Sequence, residues 1–301
     1  MGSTASESTR PLPVAHGETL VPGVTLTRLE PGGANGPDDV VLSDVMGGLV
    51  WQDLWYLGSD DDDFRMCIPD IRMPANQIWP LHWHDDWMFI TVLEGSVLVG
   101  DWVMRRGDVL VTAPFVEYGP LLNGPRGCQL LEIFARNKKG GGYATEYHDH
   151  PTLVGPGRLK YRPGVHKYGP AGAFNFASRP PGAEQNEGNQ TMTIDATPGL
   201  AKGSLANGGR WDLGASDDPD RGVALGTRLA PGQRIPAHQL RDWRWSLLTE
   251  GDLTIGDRHL GVDDILITEP DVEVPEAIAG ANGARLLELC RTAAAETRAF
   301  H

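Results

Sequence analysis

The sequence has no run of apolar residues that could cross a membrane. A transmembrane helix needs about 20 consecutive apolar residues, and no stretch of the 301-residue chain approaches that length. Residues 1–16 also lack the apolar core of a secretion signal, so we expect them to form a flexible N-terminal tail. These features predict a cytoplasmic protein with no membrane partner.

Basic residues and cysteines are scarce as well. The chain has 26 Lys and Arg against 40 Asp and Glu, a net charge of −14. Because phosphate binding needs clustered cations, this balance argues against a nucleic-acid partner. The three cysteines, Cys67, Cys128 and Cys290, are odd in number and lack the CxxC spacing of metal sites. We therefore expect them to be reduced core residues, as in cytoplasmic proteins.

The most informative feature that is present is an internal repeat. Residues 80–114 align without a gap with residues 236–270, at a shift of 156 positions. The same shift matches an Asp-Trp pair, a Glu-Gly pair and a proline, and further along it places GCQLLEI opposite GARLLEL. Agreement over this length predicts two related domains in tandem.

Each copy consists of short apolar segments separated by glycine turns. Segments such as FITVLEG and DVLVTAP in the first copy, and SLLTEG and DILITEP in the second, are rich in Val, Ile and Leu. This composition is typical of strands. Several short strands at close spacing predict an antiparallel sandwich or barrel.

The repeat also suggests domain boundaries. We assign residues 17–139 to an N-terminal barrel and residues 201–301 to a C-terminal barrel. Residues 140–200 between them are rich in Gly and Pro. This segment is long for a structureless loop, so we expect it to pack across a domain face or to carry a few strands.

Two histidines mark the start of the first repeat. His82 and His84 are separated by one residue in the motif HWH, and residues two apart in a strand point to the same face. Both imidazoles could therefore bind one ion, and imidazole suits iron, zinc, copper and nickel alike. The alternative is a pair of hydrogen-bonded histidines in a pocket without metal.

The HWH and VLEG segments, followed by GDVLVTAP and a Gly-Pro loop, resemble the two sequence motifs of cupins. Cupins are small β-barrels of the jelly-roll type, and the resemblance covers about 65–135 and 221–291. It implies an all-β bicupin, with two tandem cupin jelly-roll β-barrels and little helix. It does not imply one reaction, because the family includes dioxygenases, decarboxylases, isomerases, lyases, cyclases, storage proteins and sugar-binding modules.

The resemblance also implies four metal ligands, and the first copy departs from two of them. The family places two histidines in HxH, a glutamate four residues later and a histidine in the second motif. His82 and His84 match, whereas Met88 stands at the glutamate position. The last histidine falls at Tyr118, or at Glu117 if the alignment slips by one residue, and we expect one of these two to complete the metal shell or to move a proton. Further candidates for the third ligand are Asp86, His148 and His150.

The second copy departs further from the family pattern. His238 corresponds to His82, but Leu240 and Arg244 stand opposite His84 and Met88. Leucine cannot coordinate a metal, and an arginine cation repels one. We therefore expect one divalent metal ion, in the N-terminal barrel only, and a second barrel that serves as a scaffold.

Four residues near the motif are candidates for substrate contact. Trp79 and Trp51 have no tryptophan counterpart in the second copy, so we assign them to the pocket wall. Met88 is a soft, weak ligand and a good gap-filling residue. Arg72 could bind a substrate carboxylate if it points inward, although its repeat counterpart Arg228 favours a salt bridge outside the pocket.

The sequence thus predicts an enzyme that acts on a small organic molecule through a metal in the N-terminal barrel. Within the family we favour a dioxygenase-type oxidoreductase over an isomerase, cyclase or lyase. One alternative is a metal-free small-molecule-binding bicupin, either a sensor or a storage-like protein. Another is a metal-independent enzyme in which His82 and Tyr118 act as acid and base. We also expect homodimers, which barrels of this family form through exposed sheet edges.

Overall fold

The computed structural model describes residues 12–13, 17–29, 51–59, 62, 64–73, 75, 78–79, 82–84, 86–119, 121–138, 145–147, 167–168, 172–173, 194–296 and 298–300. These residues form β-strands and three short 3-10 turns, with no α-helix among them. No helix in these ranges is long and apolar enough to span a membrane. The prediction of an all-β protein with two jelly-roll barrels and little helix is confirmed.

The N-terminal barrel is built on an eight-stranded antiparallel sheet. Its strands are β4 (Trp51–Leu57), β5 (Phe64–Met73), β6 (Ile78–Trp79), β8 (Met88–Val99), β9 (Trp102–Arg105), β10 (Asp108–Thr112), β11 (Leu121–Lys138) and β15 (Leu200–Ser204). They lie in the order β15-β10-β8-β11-β5-β4, with β6 beside β11 and β9 beside β8. The histidine motif forms a separate strand, β7 (His82–His84), which pairs with β12 (Thr145–Tyr147).

The C-terminal barrel is built on a ten-stranded sheet. Its strands are β1 (Leu12–Pro13), β2 (Glu18–Val21), β3 (Val24–Arg28), β16 (Gly209–Leu213), β17 (Gly222–Leu229), β18 (Arg234–Ile235), β20 (Arg244–Ile255), β21 (Arg258–Leu260), β22 (Asp264–Thr268) and β24 (Ala277–Cys290). The main order is β16-β17-β24-β20-β22-β3-β2. The repeat of the histidine strand, β19 (His238–Leu240), pairs with β23 (Glu273–Val274) and β25 (Arg298–Phe300).

Short elements complete the described chain. Strands β13 (Lys167–Tyr168) and β14 (Gly172–Ala173) form a hairpin. Together with β12 and the first residue of β15, they are the strands described within the Gly- and Pro-rich segment 140–200. The 3-10 turns are Ile194–Ala196, Leu205–Asn207 and Ala293–Glu296.

The two sheets exchange strands across the domain boundaries that we assigned from the sequence. β3 lies within residues 17–139, which we assigned to the N-terminal barrel, but pairs with β22 of the C-terminal barrel along its whole length. β15 lies at the start of the segment assigned to the C-terminal barrel but pairs with β10 of the N-terminal barrel. Residues 18–28 therefore extend the C-terminal sheet, and residues 200–204 extend the N-terminal sheet. Each sheet is completed by a strand from the other half, which joins the barrels through backbone hydrogen bonds.

Apolar side chains form three main buried clusters. One fills the lumen of the N-terminal barrel and includes Met88 and Phe134. A second fills the C-terminal barrel, and a third joins the halves, where Phe89 and Trp245 lie in one cluster. Complete burial of a large apolar side chain contributes about 1.5–3 kcal/mol. The layer between the barrels is therefore a core of its own, which makes independent movement of the two halves unfavourable.

The three cysteines are free and buried, as the sequence predicts. Burial raises the pKa of the Cys128 thiol to about 12. It also raises the pKa of Cys290 to about 11. Because only the thiolate is nucleophilic, these side chains act as unreactive core residues.

The repeated Glu-Gly pair makes the same bulge in both barrels. Gly95 has φ 73° and Gly251 has φ 78°, a region that side chains disfavour. A Cβ atom at Gly95 would lie 2.2 Å from the carbonyl oxygen of Gly127, and one at Gly251 would lie 2.1 Å from that of Gly283. Any larger residue would push β8 away from β11, or β20 away from β24. Close approach of two backbones thus explains this part of the repeat.

Candidate functional site

The turn after β10 brings a tyrosine to the histidine strand. Phe115 has φ 61°, and its N–H donates to the carbonyl oxygen of His84 at 2.7 Å. A left-handed backbone at a residue other than glycine costs about 1–3 kcal/mol and persists only where its surroundings hold it. The hydrogen bond to β7 is one such restraint. It fixes the position from which Tyr118 reaches His84.

Tyr118 is the centre of a buried polar chain in the N-terminal lumen. Its hydroxyl oxygen lies 3.0 Å from Nε2 of His84 and 3.0 Å from Oε1 of Glu132. The sulfur of Met88 is 3.6 Å from the same oxygen. These four side chains are at most 4% exposed. Residues from β7, β8, β11 and the loop before β11 therefore meet at one point.

Packing holds the imidazole of His84 in place. Its ring meets Phe134 edge-on, with ring centroids 4.9 Å apart and an interplanar angle of 70°. Phe134 and Glu132 are two residues apart on β11 and share its lumen face with Leu130. The strand thus presents an apolar wall with one carboxyl group in it.

The carboxyl group of Glu132 keeps its proton up to an unusually high pH. Burial raises its pKa from the usual 4.5 to about 7, and the hydrogen bond from Tyr118 opposes this only in part. A buried carboxylate is unfavourable because the low dielectric of the interior does not solvate its charge. Glu132 can therefore change its charge near neutral pH.

The chain His84–Tyr118–Glu132 supports two arrangements of protons. When Glu132 is ionised, the Tyr118 hydroxyl donates to Glu132 and can accept from Nε2–H of His84. When Glu132 is protonated, it donates to the Tyr118 oxygen, and the hydroxyl is free to donate to an unprotonated Nε2 of His84. A proton on Glu132 is thereby linked to the state of the imidazole nitrogen. Such an arrangement can take up or release one proton inside an apolar lumen.

The structure brings together three of the residues that the sequence singled out, namely His84, Met88 and Tyr118. Glu117 is 5% exposed and immediately precedes Tyr118 in the same loop. The backbones of His82, Trp79 and Trp51 lie in β7, β6 and β4. Their side chains lie outside the described residues, as do His148 and His150.

Arg72 does not join the site, in contrast to its assignment to substrate binding. Its neighbours on β5, Ile71 and Met73, belong to the lumen cluster, so strand alternation places Arg72 on the opposite face. There its guanidinium group pairs with Asp70 at 2.9 Å. Gln129 donates to the same carboxylate at 2.9 Å. Arg72 therefore belongs to a polar cluster outside the lumen, the alternative that its repeat counterpart favoured.

Asp86, a candidate third ligand, has a structural role. Its carboxylate accepts the backbone N–H of Trp87 and that of Arg136, each at 2.7 Å. The repeat counterpart, Asp242, likewise accepts the backbone N–H of Trp243, at 2.8 Å. In both copies, the aspartate of the Asp-Trp pair thus stabilises its own loop by accepting a backbone hydrogen bond. In the first copy, Asp86 also ties this loop to β11.

The sequence reasoning missed Glu132, although a signal for it was present. Glu132 stands in the segment GCQLLEI, and Glu288 stands at the same place in the repeated segment GARLLEL. An acidic residue in an apolar strand, on the face that the alternation turns inward, must have a polar partner when buried. Repetition of such a residue in both copies indicates a lumen position.

The donors at this point fit a divalent metal ion in chemical type. Imidazole nitrogen, phenol oxygen and carboxylate oxygen are ligands that iron and zinc accept. Ligands that bind one ion at about 2.0–2.2 Å lie near 3 Å from each other, which agrees with the two 3.0 Å separations around Tyr118. Among the described side chains, no three His, Cys, Asp or Glu residues form such a group. Glu132 could supply the carboxylate that the family pattern places at position 88.

The equivalent place in the C-terminal barrel has different chemistry. Arg244, the repeat counterpart of Met88, forms an ion pair with Glu288 at 3.1 Å, and both side chains are 3% exposed. Arg244 also donates to the carbonyl oxygen of Ala295. Leu240 and Val274 stand where the first barrel has His84 and Tyr118. A cation and apolar groups thus replace most of the donors of the first site.

Comparison with known proteins supports the fold and not a specific activity. No protein-family model and no curated protein matches the sequence. Among solved structures, a candidate dioxygenase from Nostoc punctiforme is similar with a TM-score of 0.52 at 10% identity, covering 84% of this chain and 76% of that one. The protein Ylba from E. coli gives 0.47 at 10% identity, with 94% of each chain covered. An oxalate decarboxylase from Lactobacillus farciminis gives 0.46 at 12% identity over 85% and 84%. At these identities, the chain shares a fold with the Nostoc protein.

Proposed function

We propose that the chain is a cupin-type enzyme whose N-terminal lumen acts on a small organic molecule. The observation that carries this proposal is the buried chain His84–Tyr118–Glu132, with its two separations of 3.0 Å. Burial of an ionisable group costs free energy. A barrel interior that served only as a hydrophobic core would therefore not be expected to contain three of them. Groups with perturbed pKa values cluster at functional sites.

In this proposal each residue has a separate role. When no metal ion is bound, Glu132 stores or accepts a proton, and Tyr118 passes it between the Glu132 carboxyl group and Nε2 of His84. Met88 and Phe134 exclude water from these hydrogen-bonded side chains, since both are fully buried. An apolar wall also favours a substrate with a planar or apolar body.

We further propose that the site holds one divalent metal ion, in the N-terminal barrel only. His82 and His84 would bind it, with Tyr118 or Glu132 completing the shell and Glu117 as a further candidate. When bound, such an ion polarises an oxygen of the substrate or activates oxygen. On the cupin resemblance of the sequence, we favour a dioxygenase-type oxidation of a substrate that Trp79, Trp51 and Met88 help to bind.

A second candidate is a metal-independent isomerase, cyclase or lyase. The observation in its favour is the pKa of Glu132, which burial raises to about 7. An acid whose pKa lies near the working pH is suited to general acid–base catalysis. In this case Tyr118 and Glu132 would exchange a proton with the substrate directly.

Metal analysis separates the two candidates. Untagged protein, purified without chelator, is analysed for metals, and apoprotein is reloaded anaerobically with Fe(II). We expect close to one equivalent of metal in the unaltered protein and its loss in His84→Ala. His238→Ala, which removes the repeat counterpart of His82, is the matched control and should keep the metal.

Absorption spectra test the ligand set independently. If Tyr118 binds iron, oxidation to Fe(III) should produce a visible phenolate charge-transfer band that Tyr118→Phe lacks. Protein that stays well under one equivalent of metal after reloading rules out the metal proposal. So does a metal content that His84→Ala leaves unchanged. Either result leaves the metal-independent enzyme as the better candidate.

The cellular location and the oligomeric state can be proposed as well. We propose that the protein works in the cytoplasm, because its three cysteines are free and thiols persist in reducing compartments. We propose a homodimer as the assembly.

A further inference from the structure

The C-terminal barrel contains a cavity that is separate from the site proposed above. Its walls are mainly apolar, with Leu240, Leu248, Ile255 and Leu286 among them. Six polar residues line it as well, namely His238, Arg244, Ser246, Asp264, Thr268 and Glu288. An apolar cavity with a few polar groups is the usual form of a small-molecule site.

Two residues that line this cavity have a buried atom without a hydrogen-bond partner among the described residues, namely Nε of Arg244 and Oδ1 of Asp264. Oδ1 of Asp264 lies 3.5 Å from Nε of Arg28, whose charge compensates it. The guanidinium of Arg244 uses its two terminal nitrogens for Glu288 and for the carbonyl oxygen of Ala295. Its Nε is buried and unpartnered among the described residues. A buried donor without an acceptor costs about 1–3 kcal/mol. Arg244 is 2% exposed, so this donor lies in the interior of the barrel.

The charges around Arg244 restrict which ligand can satisfy it. Glu288 lies 3.1 Å away and balances the guanidinium charge. Asp264 lines the same cavity and also carries an acidic group. An anionic ligand would add uncompensated negative charge in a buried space, which is strongly unfavourable. An uncharged acceptor has no such cost.

We infer that the C-terminal barrel binds a small uncharged molecule with an apolar body and a carbonyl oxygen, which accepts a hydrogen bond from Nε–H of Arg244. The apolar body contacts Leu240, Leu248 and Ile255. The barrel is then a binding site in its own right and not only a scaffold. This inference does not depend on the function proposed for the N-terminal barrel.

Methyl NMR of protein labelled at Ile and Leu tests the inference directly. Cyclopentanone, cyclopentane and cyclobutanecarboxylate serve as a ketone, a hydrocarbon and an anion of similar size. We expect cyclopentanone to shift the methyl signals of Ile235 and Ile255, which line the cavity. It should bind at least about ten-fold more tightly than cyclopentane, the value of one hydrogen bond from a charged donor. The anion should bind most weakly.

Variants test whether the preference for cyclopentanone over cyclopentane depends on Arg244. The double variant Arg244→Met/Glu288→Gln removes the ion pair as a unit, which avoids an isolated buried charge, and should bind ketone and hydrocarbon equally. Ser246→Leu fills the cavity without changing the pair and should abolish binding. Ile90→Val, at the equivalent position of the N-terminal barrel, should leave the titration unchanged. The inference is overturned if cyclopentanone shifts neither isoleucine, if it binds no better than cyclopentane, or if the anion binds more tightly.

Discussion

The two barrels place different side chains around a carboxyl group that occurs at the same position of both copies. Glu132 and Glu288 occupy equivalent positions in β11 and β24, at the shift of 156 that relates the copies. Glu132 meets the hydroxyl of Tyr118 at 3.0 Å, whereas Glu288 meets the guanidinium of Arg244 at 3.1 Å. The backbone is shared, and the partner residue differs.

This difference shows how a partner decides the chemistry of a buried acid. A neutral hydroxyl stabilises a carboxylate only weakly, so burial raises the pKa of Glu132 to about 7. A guanidinium compensates the charge of Glu288 and keeps a hydrogen-bonded ion pair in the interior. The first barrel has a carboxyl group that can change its charge. The second has a fixed pair beside a cavity.

Loss of the ion pair is expected to give the largest effect. Arg244→Met leaves the Glu288 carboxylate buried without its cation and should lower the free energy of unfolding by about 3–5 kcal/mol. Met88→Leu, at the equivalent position of the first barrel, conserves volume and should cost less than about 1.5 kcal/mol. Urea denaturation measures both. Similar losses in the two variants would contradict the contrast between the barrels.

The second-largest effect should be a pH dependence of stability that comes from the titration of Glu132. The unfolded side chain loses its proton near pH 4.5 and the folded one near pH 7. Between these values the folded state holds a proton that the unfolded state has lost. The stabilisation from this group is therefore complete below pH 4.5 and is lost as the pH rises to about 7, a decline of about 3 kcal/mol.

Denaturation of wild-type protein and Glu132→Gln across this pH range measures the effect. The glutamine variant lacks the titration, so the difference between the two stability curves should decrease with rising pH. Parallel curves from pH 4.5 to 7 would show that folding does not raise the pKa of Glu132.

Tyr118→Phe should have the smallest effect of the three. It removes the hydroxyl that links His84 to Glu132 and leaves both with an unsatisfied polar atom, at a cost of about 1–2 kcal/mol. Tyr56→Phe is the matched control, because Tyr56 packs against the same apolar cluster and its hydroxyl meets the Cys67 thiol, which is a weak hydrogen-bonding group. It should cost less than about 0.5 kcal/mol. Thermal unfolding at fixed pH compares the two variants. Equal losses of stability would mean that the hydrogen bonds of Tyr118 to His84 and Glu132 add nothing to stability.

The duplicated architecture could be predicted because its signals are local. Strand composition, the Glu-Gly bulges and the motif around His82 and His84 all appear in short stretches of sequence. The alignment also gave the positions of Met88 and Tyr118, which the structure places within 3.6 Å of each other.

Other features could not be predicted because they depend on distant partners. The pairing of β3 with β22 joins residues more than 230 positions apart, and nothing in either segment specifies the other. The orientation of Arg72 depends on the register of β5, which one residue of slip would reverse. Glu132 was visible in the repeat, but its link to Tyr118 was not.

By itself, the sequence determined the fold class, the duplication and the residue types available at each barrel, because short-range periodicity and repeated motifs encode them. The tertiary structure decided which side chains meet. Antiparallel pairing of β8 with β11 sets the position of Glu132, and the turn at Phe115 brings Tyr118 to both Glu132 and His84. The equivalent pairing of β20 with β24 brings Glu288 to Arg244. Burial then set the chemistry, since a carboxyl group behaves differently beside a hydroxyl and beside a cation once water is excluded.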